Sequence, residues 1–132
     1  MFDKYIGIPY LHNSSSFSGC DCYGLYKLIF KEEKNITLPS FIYSEKWYKS
    51  NENHIVENIN TGFYKVEWPY KLYDGIIFFY GSNSIANHIG MWINNNKFIH
   101  VYENESSMIS KFDDFWKSKV YCAVRYNKKG IM

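Results

Sequence analysis

SGCDCYGLYKLIF, residues 18–30, joins a polar, cysteine-containing loop directly to an apolar run with helical spacing. Asp21 stands where an N-cap residue accepts a hydrogen bond from the first turn, so we predict that a helix begins at Cys22. The charged segment KEEKN, residues 31–35, is predicted to end it. The apolar positions that recur at helical intervals are Leu25, Leu28 and Ile29, with Tyr26 and Phe30 widening the stripe.

Cys22 is the thiol that this helix would make reactive. The thiolate is the nucleophilic form of cysteine, and a helix N-terminus stabilises negative charge, so the pKa of Cys22 is expected to be lowered. Cys20 lies in the loop, one residue too early, and Cys122 lies near the end of the chain. An odd number of cysteines argues against a disulfide framework and leaves at least one thiol free for chemistry.

The second half of the chain has the pattern of an antiparallel sheet. A short helix is predicted at KFDDFWKS, residues 111–118, and one or two helical pieces within residues 36–70, where Ile55 and Ile59 share a face. One helix followed by such a sheet is an α+β fold, and no linker divides the chain, so residues 1–132 are predicted to form a single domain. The predicted strands are GIIFFY (75–80), HIGMWI (88–93), KFIHVY (97–102) and VYCAVRY (120–126).

A hairpin in this sheet selects a base for the thiol among the four histidines. If Asn94–Asn96 form a three-residue loop, His88 and His100 project from one face as diagonal neighbours, about 7–8 Å apart at Cα. One imidazole can then orient the other, which is the base and orienter of a catalytic triad. A two-residue loop would place them on opposite faces. His12 and His54 are expected to be solvated.

Composition and charge argue against several classes of function. The chain has 132 residues and a formal net charge of +2 without a dense Lys or Arg block, so no nucleic-acid partner is expected. No run reaches about 18 apolar residues, so no membrane span is predicted. The opening MFDKYIGIPY lacks the apolar core of a signal peptide, so none is predicted.

Three segments, in order, carry a resemblance that covers nearly the whole chain. YIGIPYLHNSSSFSGCDCYGLYKLIF (5–30), YDGIIFF (73–79) and NHIGMWINNNKFIHV (87–101) resemble the NlpC-type cysteine peptidases, which are papain-like γ-D-glutamyl endopeptidases of cell-wall peptides. Residues 38–49 and 115–126 resemble the compact versions encoded by bacteriophages. The resemblance implies a papain-like α+β fold, with the N-terminal catalytic helix packed on the antiparallel sheet.

The resemblance also implies roles for individual residues. It makes Cys22 the nucleophile, His88 the base and His100 the polar orienter. Tyr10 matches a family tyrosine near the nucleophile, and its hydroxyl is expected to help the Cys22 backbone N–H hold an oxyanion. Asp21, next to the nucleophile, is expected to act as the N-cap.

Two positions depart from the family pattern. Tyr23 stands where a small Ser usually follows the nucleophile, so a nearby hydroxyl is lost. Asp74 and Gly75 reverse the usual Gly-Asp order, so the resemblance assigns no role to Asp74.

The function implied is hydrolysis of D-γ-glutamyl-diamino acid bonds in peptidoglycan stem peptides through a Cys22 thioester, without cofactor or metal. The implied setting is a phage particle or tail, with virion proteins as partners, or the host cytoplasm before lysis. A structural virion or tail-assembly component of the same fold, with little activity, is the alternative. Capture of the thioester by an amine instead of water would make the enzyme an acyl transferase.

A zinc site is the competing interpretation of the same side chains. Cys20, Cys22, His88 and His100 supply four ligands of the types that zinc prefers. Cys-x-Cys is a poor chelating spacing at a helix start, so no metal is expected.

Overall fold

The computed structural model describes residues 2–38, 62–79 and 86–126. One or two helical pieces are expected within residues 36–70, and residues 39–61 of this range, with Ile55, Ile59 and His54, lie outside the described residues. The expectation of helix is wrong for Phe63–Val66, which form a strand.

Helix α1 spans Cys22–Lys34, as predicted. Its N-cap is Asp21, whose Oδ1 accepts a hydrogen bond from the Gly24 N–H at 2.7 Å. Asn35 ends the helix in the left-handed conformation, with φ of 55°, which asparagine tolerates better than most residues. The helix therefore begins at the cap that the sequence predicts, Asp21, and ends within the segment predicted to end it, where the Asn35 backbone N–H donates to the Lys31 and Phe30 carbonyls.

Six strands form one antiparallel sheet in the order β3-β8-β4-β5-β6-β7. The last of these strands, β8, lies between β3 and β4 and pairs with both. The strands are β3 (Phe63–Val66), β4 (Gly75–Phe79), β5 (Ala86–Asn94), β6 (Lys97–His100), β7 (Met108–Lys111) and β8 (Val120–Tyr126). Outside the sheet lie a 3-10 turn (Asp3–Tyr5), the short pair β1 (Ser15–Ser16) and β2 (Gly19–Cys20), and helix α2 (Asp114–Lys117).

Each face of the sheet has its own core. One face packs on α1 through alternate residues such as Ile77 and Ile89, which meet Leu25 and Ile29 of the helix in one buried cluster. The core on the opposite face is mainly aromatic. Its buried residues are Ile76, Phe78, Trp92, Phe98 and Phe112. One helix on an antiparallel sheet is the predicted α+β architecture.

The β5–β6 hairpin has the predicted register but a different tip. Met91 lies opposite Ile99 and Trp92 opposite Phe98, as a three-residue loop would require. Asn94, however, lies opposite Lys97, so the turn has two residues and strand β5 carries a bulge between Trp92 and Asn94. The predicted three-residue loop is wrong, and the bulge restores the register by absorbing one extra residue.

All three asparagines of this tip have positive φ, of 83°, 55° and 60°. Asparagine adopts this region at lower cost than bulkier residues, so the run of Asn favours a sharp turn here.

Among the described residues, no helix has the length and apolar character needed to cross a bilayer.

Candidate active site

Cys22 heads helix α1, and only 7% of it is exposed. Burial, with a smaller contribution from the neighbouring Asp21 carboxylate, raises the pKa of its thiol to about 12. Hydrogen bonds from the backbone of Ile89 and Tyr23 oppose this rise. The expected lowering of the Cys22 pKa is therefore wrong for this closed site, because loss of hydration outweighs the helix terminus.

Asp21 holds the loop before the helix as well as capping it. Its Oδ2 accepts a hydrogen bond from the Asn13 N–H at 2.8 Å. Its own N–H donates to the Ser14 carbonyl at 3.2 Å, and the Ser15 hydroxyl donates to the Gly24 carbonyl at 2.7 Å. The loop is thus fastened to the first turn of α1 at several points, and Cys22 is set between them.

Gly24 is required by this fastening. A Cβ added there would lie 1.9 Å from the Ser14 carbonyl oxygen and 2.8 Å from Asp21 Oδ1. Both are polar atoms that hold the helix start, so neither can move without breaking a hydrogen bond.

We expect Gly24→Ala to lower the free energy of unfolding by about 2–4 kcal/mol, since overpacking and a broken cap add. Urea unfolding followed by circular dichroism measures this. Glu32→Ala, at an exposed position of the same helix, should stay within about 0.5 kcal/mol of the natural protein. Equal stability of the two variants would contradict the close approach of Ser14 to Gly24.

His88 and His100 are brought together as a hydrogen-bonded pair. His88 Nε2 lies 2.8 Å from His100 Nδ1, and the two residues are 2% and 1% exposed. They share the sheet face of Phe78 and Phe98, as the predicted register requires. The pair also contacts the rings of Tyr102 and Trp116.

The aromatic surroundings keep both imidazoles neutral. Burial lowers the pKa of His88 well below its usual value, and repulsion from His100 when that ring is protonated lowers it further. Burial lowers the pKa of His100 to about 3. Near pH 7 the site therefore combines a neutral Cys22 thiol with two neutral imidazoles.

Cys22 contacts strand β5, the strand that carries His88. The Cys22 sulfur is hydrogen-bonded to the backbone of Ile89, the residue directly after His88. The thiol therefore lies at the strand that carries the predicted base, and α1 and β5 are packed together.

Ser110 was missed by the sequence analysis. Its Oγ lies 2.7 Å from His100 Nε2, which extends the pair to a chain of three side chains. In the β6–β7 pairing Ser110 lies opposite Phe98, which places it on the face of His100. Alternation along β7 could have shown that Ser110 shares a face with Met108. It does not show which residue of β6 lies opposite Ser110, because the segment between His100 and Met108 is irregular.

Tyr10 lies beside the loop that precedes the nucleophile. The backbone of its neighbours pairs with Cys20, through Leu11 N–H to Cys20 O and Cys20 N–H to Pro9 O, both at 3.0 Å. The Tyr10 ring is half-buried against the α1 core. Its proposed part in holding an oxyanion stays a prediction.

Neither of the other two cysteines stands at the head of the helix. Cys20 is fully buried in β2, and burial raises its pKa to about 12. Cys122 is half-buried on β8.

The two departures from the family pattern have structural explanations. Tyr23 is buried in the core under α1, where a small Ser would leave space. Asp74 is 1% exposed and accepts two hydrogen bonds from Arg125, both at 2.8 Å, and one from the Lys71 N–H at 2.7 Å. Asp74 therefore joins the start of β4 to β8 through a partly buried ion pair with Arg125.

Within residues 2–38, 62–79 and 86–126, no three His, Cys, Asp or Glu side chains cluster closely enough to hold a metal ion. The zinc interpretation of Cys20, Cys22, His88 and His100 gains no support from the structure.

Comparison with known sequences gives a consistent family. The model of the NlpC/P60 family matches residues 7–125. The chain is 30% identical over 131 residues to Gamma-DL-glutamyl hydrolase of Bacillus subtilis (strain 168), covering 98% of this chain and 29% of that protein. It is 26% identical over 123 residues to Murein DD-endopeptidase MepS/Murein LD-carboxypeptidase of Escherichia coli (strain K12), covering 90% and 57%. The chain thus spans less than two thirds of the length of each of these relatives.

Solved structures share the fold. The NlpC/p60 domain of peptidoglycan hydrolase SagA superposes with a TM-score of 0.63 at 18% identity, covering 93% of this chain and 91% of that one. NlpC2 from Trichomonas vaginalis gives 0.69 at 20% identity, covering 94% and 43%. The predicted NlpC-type fold is confirmed.

Proposed function

This chain belongs to the NlpC/P60 family, and from that premise we propose that it is a cysteine peptidase of peptidoglycan stem peptides. The observation that carries the proposal is the buried His88–His100 pair, joined at 2.8 Å, with His88 on the strand whose Ile89 backbone is hydrogen-bonded to the Cys22 thiol. The names of its relatives, a γ-DL-glutamyl hydrolase and a murein endopeptidase, support this substrate class. We take residues 1–132 as one catalytic domain, supported by the match to nearly all of the SagA domain.

The proposed reaction starts from neutral groups. His88 accepts the Cys22 proton as the sulfur attacks the amide carbonyl carbon, so the thiolate forms only as it is consumed. The Cys22 backbone N–H and the Tyr10 hydroxyl donate to the oxyanion. His88 then gives the proton to the leaving amine, and water hydrolyses the Cys22 thioester with His88 as base.

The bond we propose is the one between D-γ-glutamate and the diamino acid. Its support is the resemblance of the Cys22 and His88 segments to γ-D-glutamyl endopeptidases, together with the name of the Bacillus subtilis relative. The setting we propose is a phage particle or tail, or host lysis, supported by the resemblance of residues 38–49 and 115–126 to compact phage versions. An assembly component of the same fold would retain the site and turn over little.

Digestion of purified peptidoglycan tests the activity and the bond together. We expect soluble fragments whose masses place the cut between D-glutamate and the diamino acid. Alkylating Cys22 with iodoacetamide beforehand should abolish their release, whereas a chelator should leave the rate within about twofold, since no metal step is invoked.

Three results would oppose the proposal. Intact peptidoglycan after prolonged digestion would favour the assembly component. Loss of activity in chelator, restored by zinc, would favour the metal interpretation. Products linked to an added amine, with little free acid, would indicate acyl transfer.

A further inference from the structure

We propose that Ser110 is a positioning residue that stabilises the arrangement in which His88 carries its proton on Nε2, acting through His100. The inference rests on the proposed function of His88 as a base. Two contacts in series carry it: His88 Nε2 to His100 Nδ1 at 2.8 Å, and His100 Nε2 to Ser110 Oγ at 2.7 Å.

Only two proton arrangements satisfy both contacts with neutral rings. In the first, His88 Nε2–H donates to His100 Nδ1, and His100 Nε2–H donates to the Ser110 hydroxyl oxygen. His88 Nδ1 is then bare and can take a proton from Cys22. In the second, the Ser110 hydroxyl donates to His100, every proton is reversed, and His88 Nδ1 carries hydrogen and cannot act as a base.

The Ser110 hydroxyl can serve either arrangement, but the productive one depends on it more, because there the buried His100 Nε2–H needs an acceptor. His100 is 1% exposed, with the rings of Phe98, Trp116 and Tyr102 at 4.5, 5.0 and 5.6 Å. A buried N–H left without an acceptor loses its hydration without replacement. The hydroxyl oxygen of Ser110 removes that penalty from the productive arrangement.

The sheet holds Ser110 in place for this role. Strand β7 pairs with β6 over four residues, with Ser110 opposite Phe98 and Met108 opposite His100. Ser110 is thus the diagonal neighbour of His100 on the same face, the relation that His88 has to His100 across the other strand. The two hydrogen bonds link side chains on three adjacent strands, β5, β6 and β7.

The test compares variants that differ in the hydroxyl alone. Ser110→Val and Ser110→Thr have nearly the same shape, and both suit a strand. We expect Ser110→Val and Ser110→Ala to lower kcat on a muropeptide about 10- to 100-fold, with KM within about twofold, because a buried donor is left unpaired. Ser110→Thr should stay within about threefold of the natural enzyme. Ser106→Ala, which removes an exposed hydroxyl from the preceding loop, should change nothing.

Nitrogen-15 NMR of the imidazoles gives a readout that a purely structural role would not move. In the natural protein and in Ser110→Thr, both His88 and His100 should carry the proton on Nε2 alone. In Ser110→Val a second population with protons on Nδ1 should appear, and iodoacetamide should react with Cys22 more slowly at pH 7. Unchanged ring protonation in Ser110→Val would overturn the proposal, whatever the rate does.

The NMR and alkylation results need no substrate. If the natural protein cleaves no muropeptide, the proposed peptidase function fails, and the ring protonation still decides the role of Ser110.

Discussion

Cys22→Ser is expected to reduce muropeptide hydrolysis by about four orders of magnitude or more, which is the scale of losing a nucleophile. The serine hydroxyl is far less acidic than a thiol, and the neutral His88 is too weak a base to deprotonate it effectively. The fold should be unaffected, because the Asp21 cap and the Gly24 backbone that place residue 22 remain. Initial rates of fragment release by mass spectrometry measure the loss, and thermal unfolding checks the fold.

Cys20→Ala is the matched control for this prediction. Cys20 is fully buried in β2 and lies before the helix rather than at its head. Its removal should lower stability slightly, as loss of a small buried group does, and leave the rate within about threefold. An inactive Cys20→Ala together with an active Cys22→Ser would reverse the assignment of the nucleophile.

His88→Ala is expected to lower the rate by about 10³- to 10⁴-fold, since it removes the group that accepts the thiol proton and later protonates the leaving amine. His100 acts on His88 and should matter less. His100→Asn keeps a polar side chain beside His88 and should retain part of the activity. His100→Ala should fall further, because the His88 ring is then no longer oriented.

The rate of Cys22 alkylation measures the effect of His88 on the thiol without any contribution from substrate binding or amide cleavage. Because the Cys22 pKa is raised to about 12 and His88 is neutral near pH 7, thiolate formation depends on proton transfer to His88. His88→Ala should therefore slow alkylation at pH 7, and the difference should shrink as the pH rises toward the thiol pKa. The roles assigned to the two histidines would fail together if His100→Asn were as inactive as His88→Ala and neither changed alkylation.

Local sequence signals predicted the parts of the site that are local in the chain. The Asp21 cap and the helical spacing after it placed Cys22 at the head of α1. The alternation around the asparagine run placed His88 and His100 on one face, and the observed bond joins them. Both features depend on a few consecutive residues.

The remaining features depend on contacts between distant segments. The raised pKa of Cys22 comes from burial by the whole fold, which a helix start alone does not reveal. The Asp74–Arg125 ion pair joins residues 51 positions apart. Ser110 reaches His100 only through the register of a third strand. None of these leaves a pattern in its own stretch of sequence.

The bulge between Trp92 and Asn94 affects which deletions the β5–β6 hairpin can tolerate. Trp92 lies opposite Phe98 and Asn94 lies opposite Lys97, so β5 has one more residue than β6 between these two pairs. Loss of one codon from this tip would remove the bulge and keep that pairing, so His88 and His100 would stay on one face. The tip can therefore accommodate a one-residue deletion in evolution, although the neighbouring strands have a strict two-residue alternation.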